Sequence, residues 1–167
     1  MNKKTLHWII SCLLLLAVVL SYSNHFNNAF HFDDSHVLVQ NVYVKDIKNI
    51  PLFFTDPYTL SVLPTNRAYR PMFMVTLAID HWLGGGLDPF YFHLSTFIWF
   101  LVQGALMYFL FIKILNLAST HRWNGIIAWL AVSWYMLHTA NAETINYVSA
   151  RSDSLSTLTV IAAFVIY

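Results

Sequence analysis

Charge is what this sequence has least of. Only 10% of its 167 residues are Asp, Glu, Lys or Arg, against roughly 25% in average soluble domains. Nine Lys and Arg stand against eight Asp and Glu, for a net charge of +1. No broad field therefore draws nucleic acid or an acidic partner. Cysteine is nearly absent too: Cys12 is the single one, which excludes an intrachain disulfide. The chain has no Gly-rich phosphate loop, no paired Cys/His zinc spacing, no G-x-S-x-G elbow and no internal repeat. Disorder, a secreted disulfide scaffold and a basic nucleic-acid module are excluded together.

Apolar residues fill the gap. Hydrophobic residues make up 57% and aromatic residues 17%, and mean hydropathy is +0.55. The apolar residues fall in long runs, and crossing a hydrocarbon core takes about 20 of them as a helix. The sequence thus predicts an all-α, polytopic helical membrane protein. Its first span covers 6–23, and Lys3 and Lys4 before it put the N-terminus in the cytoplasm. Ser21-Tyr22-Ser23 also offers a signal-peptide cleavage pattern. The apolar run is long for a signal, however, and more membrane segments follow it.

Residues 24–88 read as a large extracytoplasmic loop holding most of the charge. Within it an interfacial helix is expected over about 71–83, opened by Pro71 and closed by Gly84-Gly85-Gly86. The second span is 89–115, and Lys113 and Arg122 mark the cytoplasmic side. A third span over 123–137 leads to an outer loop, 138–154. The last segment, 155–167, is too short to cross a bilayer at about 1.5 Å per residue. It is expected to be a span cut off inside its helix.

The outer loops carry the candidate chemistry. Asp33-Asp34-Ser35-His36 follows the first span, Arg70 ends the polar part of the large loop, and Glu143, Arg151 and Asp153 lie in 138–154. Adjacent carboxylates raise one another's pKa or share a divalent cation, and one of them could deprotonate a hydroxyl. The competing expectation is that Asp33 and Asp34 cap a helix starting near Ser35. Arg70 and Arg151 can each clamp a phosphate through two hydrogen bonds. The alternatives are interfacial snorkelling for Arg70 and a pairing of Arg151 with Asp153 or Glu143. Span interiors hold essentially no ionisable residues, which argues against an ion-coupled transporter.

The order of these features resembles the GT-C superfamily of polyprenyl-phosphate-sugar glycosyltransferases. It is most similar to the transmembrane-and-TPR O-mannosyltransferase-like proteins and their bacterial relatives. Phe32-Asp33-Asp34, Asn41, Ile50-Pro51-Leu52-Phe53-Phe54-Thr55 and Tyr69-Arg70-Pro71 carry the likeness in the first loop. Gly86-Leu87-Asp88-Pro89-Phe90 with Phe92-His93-Leu94, His138-Thr139-Ala140-Asn141-Ala142-Glu143-Thr144 and Ser149-Ala150-Arg151-Ser152-Asp153 continue it. Thr139 departs from the family's usual proline.

The resemblance implies the N-terminal part of a GT-C transmembrane module. It implies transfer, with inversion, of a sugar from a polyprenyl-phosphate donor to an acceptor hydroxyl, on a protein or glycan, in the periplasm or another extracytoplasmic lumen. Asp33 and Asp34 become the catalytic pair, and His36, Arg70, Glu143, Arg151 and Asp153 the substrate-binding residues. No cofactor is required by it, although a divalent metal is compatible. Membrane lipid is an expected partner and nucleic acid is not. Family members carry more spans, usually followed by TPR repeats, so this chain alone is expected to be incomplete. The rival reading is a non-enzymatic polytopic scaffold of a TPR-containing protein.

Overall fold

The computed structural model describes residues 3–167. The side chains of Lys3 and Lys4, on which the expected orientation rests, lie outside what it describes. Every regular element among the described residues is a helix. Seven are α-helices: α1 (Lys3–Ser21), α2 (Ile50–Phe53), α3 (Pro71–Leu83), α4 (Pro89–Ala118), α5 (Asn124–Met136), α6 (Asn141–Asn146) and α7 (Arg151–Ile166).

The organising element is α4, 30 residues long and so about 45 Å at 1.5 Å per residue. The Asp88 carboxylate accepts from Phe90 N at 3.1 Å, and Pro89 fills the first turn, where no donor is needed. Helices α3, α5, α6 and α7 all pack on α4. Gly104 permits part of this, because a Cβ there would collide with the Met136 side chain of α5.

Among the described residues only α4 is long and apolar enough to cross a membrane. That differs from the three full spans expected. Helix α5 has 13 residues and α7 has 16, below the roughly 20 that a crossing takes. The apolar stretch of α1 is Thr5–Ser21. Helix α3 occupies the stretch read as an interfacial helix and ends where Gly85 takes a φ of 63°, a left-handed conformation that suits glycine.

Between α1 and α3 the chain is a packed series of short turns rather than an open loop. Buried Asn41 pins it, donating through Nδ2 to the carbonyls of Thr59 at 2.8 Å and Leu60 at 3.1 Å. Its Oδ1 accepts from Tyr43 N at 2.9 Å. One apolar core lies here, from Leu38, Val44, Phe53, Phe73, Leu77, Phe92 and Val148. A second joins α1, α4 and α5 through Val18, Tyr22, Phe97, Phe100, Val132 and Met136.

Candidate functional site

Two segments more than a hundred residues apart meet at the end of the molecule that carries the large loop. The tie is Asp34. It is 1% exposed, and its Oδ1 accepts from Ser149 N at 2.8 Å and from Ser149 Oγ at 2.6 Å. Its Oδ2 accepts from His31 N at 3.1 Å. Neither Asp33 nor Asp34 caps the short π-helical turn Ser35–Val39, which has no side-chain cap. The capping expectation is therefore replaced by a staple between loops.

Asp33 points the other way. Its side chain is 56% exposed and faces a cavity of about 610 Å³. The preceding Phe32 holds a φ of 48°, a conformation costing a bulky L-residue on the order of 1 kcal/mol. The Asp34 staple on one side and Tyr147 on the other sustain it. The Asp33 N–H donates to Tyr147 Oη at 3.0 Å. Burial, and beyond it the Asp33 carboxylate, push the Tyr147 phenol up to about 12, so it stays protonated and able to donate at neutral pH.

The same cavity is lined by His36, Arg70, Glu143 and Asp153, with Arg67, Asn66, Tyr147, Ser149 and Ser152. Arg70 donates from Nη1 to Ser152 Oγ at 2.8 Å. Arg67 lies over the Tyr58 ring, 4.7 Å from its centroid. Three carboxylates and two guanidinium groups thus share one open, polar space. Among the described residues no three His, Cys, Asp or Glu side chains converge as metal ligands.

Arg151 is elsewhere. It is 0% exposed and is absent from the cavity wall. Its guanidinium bonds Asp80 Oδ2, Thr76 Oγ1 at 3.2 Å, Thr96 Oγ1 at 2.9 Å and the Phe92 carbonyl at 2.6 Å. Neither Glu143 nor Asp153 is its ion-pair partner, contrary to expectation. It pins the start of α7 to α3 and α4 and so fixes the neighbouring Ser152 and Asp153. Asp80 was missed as its partner, although a carboxylate at the end of an apolar helix signals a buried mate.

Compared with known proteins, the chain is 25% identical over 158 residues to human protein O-mannosyl-transferase TMTC3, covering 93% of this chain and 16% of that protein. It is 24% identical to mouse protein O-mannosyl-transferase TMTC4, covering 89% of this chain and 21% of the relative. The chain is a distant relative of protein O-mannosyl-transferases. It spans only 16% to 21% of their length. No protein-family signature and no solved structure matches it.

Proposed function

We propose that this chain carries the extracytoplasmic site of a polytopic membrane glycosyltransferase. The reaction moves a sugar from a polyprenyl-phosphate donor to an acceptor hydroxyl, with protein Ser or Thr as the favoured acceptor. The observation that carries the reading is the shared cavity, in which a half-exposed Asp33 carboxylate stands with Arg67, Arg70, Glu143 and Asp153.

Two further features support it. Arg70 stands where the polar cavity adjoins a groove of about 320 Å³ lined by Tyr69, Met72, Phe73 and Leu155. A cation between polar and apolar spaces suits a phosphate that bears a hydrocarbon tail. Large apolar side chains also remain exposed on α1 (Trp8, Leu13, Leu20), α5 (Leu130, Trp134) and α7 (Val160, Phe164). That much unpartnered apolar surface on helices suits lipid or further helices rather than water.

In the proposed reaction the acceptor oxygen attacks the anomeric carbon while Asp33 takes its proton. The bond from carbon to phosphate oxygen breaks, its electron pair leaves with the phosphate, and Arg70 offsets that charge. Glu143 and Asp153 orient hydroxyls of sugar or acceptor. The test is transfer from tritiated polyprenyl-phosphate mannose to a Ser/Thr peptide, by the intact protein in membrane vesicles. Asp33→Asn should lower turnover by roughly 10²–10⁴-fold with thermal stability unchanged. Near-normal transfer by that variant would sink the base assignment, and absence of transfer by the unaltered protein would favour the scaffold reading.

A further inference from the structure

His36 is the residue of the site whose environment fits least well with touching substrate. Its side chain is 8% exposed, and both ring nitrogens are engaged by the protein. Nδ1 lies 2.9 Å from Ser61 Oγ. Nε2 lies 3.2 Å from Asp33 Oδ1 and 3.1 Å from Asn66 Nδ2. The last two partners make opposite demands. A carboxylate needs a proton on Nε2, whereas an amide N–H needs a lone pair there.

A neutral imidazole can meet only one demand at a time, and Ser61 decides which. Its Oγ accepts from Leu63 N at 2.9 Å and keeps its own proton to give. When that proton goes to Nδ1, Nε2 carries the ring hydrogen and holds Asp33 Oδ1. When Nδ1 is instead the donor, Nε2 turns to Asn66 and Asp33 is released. We infer that His36 is a positioning residue for Asp33, with Ser61 setting its tautomer and Asn66 competing for its Nε2. In the holding tautomer one carboxylate oxygen is occupied, and the other is left to receive the acceptor's proton. The inference rests on the reading of Asp33 as the base.

The transfer assay above, with donor KM and kcat resolved, tests it. Misplacing a reacting group by about 1 Å costs on the order of 10²-fold, so His36→Ala should lower kcat by roughly 10–10²-fold with donor KM within about twofold. His36→Gln puts an amide nitrogen where Nε2 was and should recover kcat to within about threefold. With Asp33→Asn already present, His36→Ala should cost nothing more, because coupled residues are not additive. Ser61→Ala removes the hydroxyl that meets Nδ1 from outside the cavity wall and should lower kcat with donor KM within about twofold.

Gln no better than Ala would overturn the inference, as would additive losses in the double variant or a rise in KM alone. An unchanged kcat in Ser61→Ala would overturn it even if the His36 variants failed to insert. Near-normal transfer by Asp33→Asn removes the base and this inference together. An inactive Asp33→Asn beside an unaffected His36→Ala removes the positioning role alone.

Discussion

Asp34 and Ser149 are joined by two hydrogen bonds to one carboxylate oxygen, at 2.8 Å from the backbone and 2.6 Å from the hydroxyl. The bonds close a loop of more than a hundred residues and bring Asp33 beside Tyr147. Hydrogen bonds to a charged group contribute about 1.5–3 kcal/mol each, and leaving buried donors unpaired costs about 1–3 kcal/mol. Asp34→Ala should therefore lose at least about 3 kcal/mol. Ser149→Ala keeps the backbone bond and should lose about 1.5–3 kcal/mol. Thermal melts in detergent check both, and a double-mutant cycle should return a clear coupling between the two positions. Independent, additive losses would mean that the staple does not hold the loops together.

The Arg151–Asp80 pair makes a different prediction. Removing one partner leaves the other charged and buried, which costs about 3–5 kcal/mol. Arg151→Met should therefore destabilise strongly, and so should Asp80→Leu. The double variant Arg151→Met/Asp80→Leu should regain most of the loss, since apolar replacements of a buried pair are often neutral. Transfer activity in the double variant should survive in part, because neither residue reaches the cavity. Complete inactivity of a well-folded double variant would return Arg151 to the substrate.

The expected and observed architectures part along physical lines. Helices α3 and α4 were legible because Pro71, the glycine triplet, Asp88 and Pro89 punctuate them locally. The acidic motif and Arg70 stood out because charge is rare in this chain. Asp34, Arg151 and Asp80 were misassigned or missed because their partners are 71 and 115 residues away. No local pattern reports such distances. The turns of residues 23–66 were equally invisible, since their order comes from buried Asn41 and from Asx contacts of Asp46 and Asp56. Tyr147 gave no signal at all. Its role depends on a backbone N–H of Asp33 that only the folded chain brings near.

His25 sets a pH dependence. Burial is the main cause that lowers its pKa from 6.5, with Arg151 contributing. The neutral ring donates from Nε2 to the His93 carbonyl at 2.8 Å. A lowered pKa means that the unfolded chain binds a proton that the folded chain refuses. Stability from this group is thus fully present above about 6.5 and is lost as pH falls through the depressed value. The wild-type melting temperature should fall between about pH 7 and about pH 5. His25→Gln keeps a donor for the carbonyl but cannot titrate, so its melting temperature should fall less over the same range. Equal slopes for the two proteins would show that another group carries the acid sensitivity.

The last prediction concerns the membrane. Among the described residues only α4 is long enough to cross on its own, so a polytopic arrangement requires the shorter α1, α5 and α7 to be seated beside it. If α4 crosses, its two ends face opposite compartments, and the cavity with Asp33 belongs to the end near Pro89. Single cysteines in a Cys12→Ser background can read this, because Ser35, Ser119 and Thr139 are all exposed. Ser149 is unsuitable, since its hydroxyl serves Asp34. In intact cells an impermeant maleimide should label Ser35→Cys and Thr139→Cys, while Ser119→Cys should react only after permeabilisation. Lys113 and Arg122 near Ser119 predict that this side is cytoplasmic. Labelling of Ser119→Cys in intact cells with protection of Ser35→Cys would invert the orientation and put the cavity in the cytoplasm. Labelling of all three would deny that α4 spans the bilayer, and the exposed apolar faces would then need a protein partner instead.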